Sequence, residues 1–134
     1  MESPLVSSVL VVVIAFAAFR LLPRLIAGVP FVSPDAVVAR MEDDENAVLI
    51  DVRTPEEYAA EHAADSINVQ PHQLGEDIEA KKPYMNNKVY IMCLTAQRAA
   101  MAAKTMKNLG FTNVSVVKGG LKLWKKQGLP TKAV

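Results

Sequence analysis

Cysteine is almost missing from this chain: of 134 residues, Cys93 is the only one. A single thiol excludes an internal disulfide and a thiolate cluster around a metal. Histidine is scarce too. His62 and His72 have no neighbours at ligand spacing, so both read as surface or packing residues and no metal is expected. Net charge is also nearly absent, at +1, which argues against a dedicated nucleic-acid binder. Repeats and low-complexity segments are lacking, and the length suits one domain.

What the chain does have is apolar residues, 51% of the total, and many of them sit at the start. Residues 3–19, SPLVSSVLVVVIAFAAF, carry no charge, and Leu21, Leu22, Leu25 and Ile26 continue the run past Arg20. A helix needs about 20 mostly apolar residues to cross a bilayer core, and Arg20 can reach the interface from the end of this one. The stretch has no polar face, which argues against a core helix of so small a domain. A secretory signal peptide is the alternative, since Ala15-Phe16-Ala17 resembles a cleavage site, but the preceding residues hold Glu2 and no basic residue. The expectation is a single-pass anchor over residues 1–27, with membrane contact through residues 3–22, followed by one domain over residues 28–134. Arg20 and Arg24 lie after the span, so that domain is expected on the cytoplasmic side of the inner membrane. Export after signal cleavage is the competing outcome.

Pro23, Gly28 and Pro30 punctuate a linker. Strand-like and helix-like segments then alternate. Ser33-Pro34 opens a helix. Ala47–Ile50 reads as a buried strand ending at Asp51. Thr54-Pro55-Glu56-Glu57 opens a second helix with a capping box. Ser66–Val69 is a brief strand, 71–80 a helix, and Lys88–Met92 a strand. Ala96–Leu109 is the most regular helix, with Ala99, Ala102, Ala103, Met106 and Leu109 on one stripe and Gly110 as its stop. Asn113–Val117 is the last strand and Leu121–Lys126 the last helix. This alternation predicts an α/β fold with a mostly parallel sheet flanked by helices.

In such sheets ligands bind beyond the carboxyl ends of the strands. Cys93 lies there, in the loop Cys93-Leu94-Thr95-Ala96-Gln97-Arg98 that leads into the regular helix. Unpartnered N–H groups at a helix start carry partial positive charge and favour a thiolate. Arg98 adds a permanent positive charge, and Thr95 a hydroxyl for an anionic substrate. A lone cysteine after an apolar strand is also what an inert, buried thiol looks like. Residue type and position leave these two readings level.

Four segments carry a wider resemblance. They are LIDVRTPEEYAAEH (Leu49–His62), DSINV (Asp65–Val69), VYIMCLTAQRA (Val89–Ala99) and LGFTNVSVVKGGLKLWKKQGLP (Leu109–Pro130), the last with Gly119, Gly120 and Trp124. From about Phe31 to Pro130 the chain resembles a single rhodanese domain. The resemblance implies a thiosulfate sulfurtransferase: Cys93 takes a sulfane sulfur from a donor such as thiosulfate and passes it to cyanide, a thiol or a protein acceptor. It implies no cofactor, with Leu94, Thr95, Ala96, Gln97 and Arg98 holding the substrate. It also implies that Asp51 and Arg53 form a supporting ion pair beneath the loop. A membrane-tethered persulfide carrier or interaction module with little turnover is the second reading. Cysteine-dependent phosphatases and arsenate reductases of this fold have one more residue between cysteine and arginine, whereas Cys93 and Arg98 enclose four. Two departures stand out. Ala96 replaces a frequent glycine, and Glu61–Ser66 departs from the usual turn, with Glu61 in place of a glycine. Lys118, Lys122, Lys125 and Lys126 give the last helix a basic face. It reads as a solvated surface, with attraction for anionic donors or an anionic leaflet as the alternative.

Overall fold

The structure is a computed structural model and describes residues 3–76 and 81–134. The apolar N-terminal run forms one helix, α1 (Pro4–Ala27). It continues through Pro23, where a linker was expected to begin. Proline removes one backbone donor from a helix, a loss that the helix absorbs. Pro4–Leu22 is long and apolar enough to cross a membrane and has no buried share.

Beyond it come β1 (Phe31–Val32), α2 (Pro34–Glu42), β2 (Val48–Asp51), α3 (Pro55–Ala60), β3 (His62–Ala63) and β4 (Ser66–Asn68). They are followed by β5 (Val89–Met92), α4 (Gln97–Asn108), β6 (Val114–Val117), α5 (Gly120–Lys126) and β7 (Thr131–Lys132). Five strands form a parallel sheet in the order β1-β6-β5-β2-β4. The expected α/β architecture is therefore observed. Of the helix expected over 71–80, the described part does not form it: Pro71–Gln73 makes a single 3-10 turn, capped by reciprocal Gln70 and Gln73 contacts, and 77–80 lie outside the described residues.

Side-chain alternation along β5 sorts the core into two layers. Val89, Ile91 and Cys93 join Ile50, Ala99, Ala103 and Met106 on the α4 side. Tyr90 and Met92 join Val37, Leu49, Leu121 and Trp124 on the side of α2 and α5. β5 is central and buried at all four residues, as strands covered by helices on both faces are. α1 packs along α4.

A second, two-stranded sheet pairs β3 with β7 in antiparallel register, His62 opposite Lys132. Glu61, in place of the frequent glycine, has φ −165° and simply enters this strand. Asp65 instead takes the left-handed conformation, φ 66°, which aspartate tolerates better than most residues.

Candidate active site

The carboxyl ends of β5, β2 and β6 meet around Cys93. β5 ends at Met92, so the next residue leaves the sheet at its centre. Cys93 is 1% exposed. The loop then runs over it to Gln97, where α4 begins. Ala96 caps α4 with φ 170°, which is extended backbone open to any residue. Glycine is therefore not required there, and the departure at Ala96 carries no strain.

Among the described residues, the N–H groups of Leu94, Thr95 and Ala96 have no hydrogen-bond acceptor. Such groups at the mouth of a helix favour an anion. The carbonyls of Cys93 and Leu94, by contrast, are engaged. Leu121 N–H donates to the Cys93 carbonyl at 2.8 Å and Lys122 N–H to that of Leu94 at 3.1 Å. This close approach explains the paired glycines. A Cβ on Gly120 would sit 2.4 Å from the Cys93 oxygen, and both Gly119 and Gly120 have positive φ. Only glycine meets both demands at 120. The first turn of α5 thus pins the loop backbone through its carbonyls and leaves these N–H groups without an acceptor. The Thr95 hydroxyl donates to the Gln97 side chain.

Arg98 is gathered into the site, but by an unforeseen partner. Its guanidinium forms a two-point ion pair with Glu57, at 2.8 and 3.0 Å. Glu57 is also the third residue of α3 and closes its capping box with Thr54. Arg98, more than any other group, holds the Glu57 carboxyl down to about 2. Glu57 in turn raises Arg98, with a smaller push from Cys93. The sequence signal for Glu57 was present in the capping box. Nothing in the sequence indicated that β2, and hence the start of α3, lies beside β5.

Asp51 and Arg53 bind each other. Asp51 is fully buried and accepts from the Arg53 backbone at 2.9 Å and from its guanidinium at 2.8–3.1 Å. Arg53 also donates to the Glu61 carbonyl at 2.6 Å, while its own carbonyl accepts from Asn68 and Gln70. The pair ties the ends of β2, β3 and β4 together. On the outer side of the loop, Thr95, Ala96 and Gln97 border a cleft of about 500 Å3 against α5 and Phe19 and Arg20 of α1. Among the described residues no group of His, Cys, Asp and Glu is placed to hold a metal ion.

Comparisons with known proteins bear on the family and the fold. The family model described as "Rhodanese-like domain" matches residues 33–127. The chain is 34% identical over 94 residues to thiosulfate sulfurtransferase 16 of Arabidopsis thaliana, covering 63% of this chain and 78% of the relative. It is 33% identical over 99 residues to YrkF of Bacillus subtilis, whose name describes a sulfur carrier; the match spans 73% of this chain and 52% of that protein. The fold of a thiosulfate sulfurtransferase from Pseudomonas aeruginosa superposes with a TM-score of 0.75 at 21% identity, over 87% of this chain and 22% of that one. A buried cysteine at the end of a central parallel strand, a short loop of unpartnered N–H groups and this agreement of sequence and fold make the chain a member of the rhodanese family, whose named relatives support sulfur transfer in general.

Proposed function

We propose that this chain is a thiosulfate-type sulfurtransferase that carries sulfane sulfur as a persulfide on Cys93. The observation that supports this most directly is the set of uncommitted N–H groups of Leu94, Thr95 and Ala96 in the loop that follows a buried cysteine. The Cys93 thiolate attacks the outer sulfur of thiosulfate. The new S–S bond forms as the old one breaks, and sulfite leaves with the electron pair. A thiolate or cyanide then attacks the terminal sulfur and restores the Cys93 thiolate, which is covalent, two-stage chemistry. The loop N–H groups hold the anionic persulfide, Arg98 adds positive charge, and Thr95 and Gln97 orient the donor. Asp51 and Arg53 act as supports. With one cysteine in the chain, the sulfur passes to an outside thiol or protein acceptor.

Intact mass before and after incubation with thiosulfate tests the proposal. Gain of one sulfur atom, reversed by cyanide and abolished in Cys93→Ser, is the expected result. No gain, with Cys93 still alkylated freely, defeats thiosulfate as donor. The near-complete burial of Cys93 favours a second reading, a carrier that loads only from a docked protein. It predicts sulfur gain from a protein persulfide and none from thiosulfate.

We further propose that α1 is retained as a single membrane span with the rhodanese domain on the cytoplasmic side. Its support is the exposed apolar stretch Pro4–Leu22 with Arg20 and Arg24 following its centre. The same mass spectrum tests retention, since signal cleavage removes these residues.

A further inference from the structure

The cleft beside the cysteine loop brings together four cations from three separate parts of the chain. Arg20 comes from α1, Lys118 from the end of β6, and Lys122 and Lys126 from α5. Lys122 and Lys126 are four residues apart and share one helix face. No carboxylate lines this cleft, and among the described residues none of the three lysines has an acidic partner. Lys125 shows the contrast. It lies outside the cleft and pairs with Glu61 at 2.6 Å. Like charges held together without counter-charges repel one another unless an anion joins them.

Phe19, Phe31 and Leu123 give the wall an apolar part. Phe19 and Arg20 are also where the exposed apolar helix Pro4–Leu22 nears its end, and the Arg20 guanidinium lies over the Phe16 ring at 5.1 Å. The cleft therefore joins a lipid-suited surface to a cationic one near the end of the apolar stretch.

We propose that this cleft binds the phosphate-bearing headgroup of an acidic phospholipid. The inference rests on α1 being a retained span. Basic groups next to a span are drawn to an anionic leaflet, and here they share a recess with Thr95, Ala96 and Gln97. The bound headgroup holds the cysteine loop at the bilayer surface, so donors and acceptors reach it along the leaflet.

Lysine labelling tests this. The full-length chain is reconstituted in vesicles of phosphatidylcholine, with or without phosphatidylglycerol, and treated with an amine-acetylating reagent. Labelling is read residue by residue by mass spectrometry. Lys104 and Lys132, exposed and outside the cleft, are internal references. The expected result is severalfold protection of Lys118, Lys122 and Lys126 in acidic vesicles only. In a Lys122→Gln/Lys126→Gln chain, protection of Lys118 is lost. Equal labelling in both vesicles, from protein that resists carbonate extraction, overturns the headgroup site and leaves the span intact. Extraction by carbonate from neutral vesicles overturns the span and the headgroup site with it. Equal protection by soluble glycerol phosphate with neutral vesicles overturns the lipid source.

Discussion

Two arginine–carboxylate pairs flank the cysteine loop, alike in chemistry and opposite in setting. Asp51–Arg53 is sealed in the domain, with side chains 0% and 5% exposed, whereas Glu57–Arg98 lies at the surface at 35% and 44%. The buried pair is surrounded by hydrogen bonds that join three strand ends. Burying it costs desolvation that only its partners offset. The exposed pair is screened by water and holds one side chain of the loop. Burial therefore makes the first pair a support and leaves the second adjustable, close to the thiol.

The largest effect is expected on the buried side. Asp51→Ala strands the Arg53 charge, and loss of one partner of a buried pair costs about 3–5 kcal/mol. Chemical denaturation should show this whether or not sulfur transfer is intact. A loss below about 1 kcal/mol would put the two pairs in one class and break the comparison.

Gly120→Ala tests the opposite wall of the loop. Its new methyl meets the Cys93 and Leu94 backbone at 2.4–2.6 Å, and overpacking of this kind costs about 1–3 kcal/mol. Sulfur loading should fall with stability, because the displaced atoms belong to the loop itself. Gly128→Ala is the control: it also has positive φ but nothing within 4 Å, so it should lose stability and keep loading.

Glu57→Gln should be the mildest in stability, about 0.2–1 kcal/mol for a screened pair. Removing a negative charge near Cys93 should speed its alkylation at neutral pH by up to about fivefold, the equivalent of 1 kcal/mol. Unchanged alkylation would mean that the exposed pair does not reach the thiol. The pair also has an acid limit. The Glu57 carboxyl titrates at about 2 when folded, against 4.5 ordinarily. Its contribution is therefore complete above about pH 4.5 and is lost as pH falls toward 2. The stability difference between wild type and Glu57→Gln should shrink across that window and be steady from pH 5 to 7.

Much of this was legible in residue order. The capping box at Thr54–Glu57, the strand before Cys93, the alanine stripe of α4 and the stop at Gly110 all rest on bonds or contacts within a few residues, and all are observed. The four segments that resemble a rhodanese domain were equally readable, because their motifs are contiguous. The helix expected over 71–80 was a local inference that failed within its described part: the reciprocal caps of Gln70 and Gln73 close a 3-10 turn at Pro71–Gln73.

Sequence by itself determined the order and type of most elements, the place of Cys93 at a strand end, and the exposed apolar helix at the start. Those follow from hydrogen bonding and side-chain periodicity at short range. Tertiary structure alone decided which strands are neighbours. Putting β2 beside β5 carries Glu57 to Arg98 across 41 residues of chain. Putting β6 on the other side brings α5 under the loop and fits Gly120 against Cys93. Parallel neighbours are joined by long crossovers, so their lateral order comes from packing across the whole sheet, which no local pattern encodes.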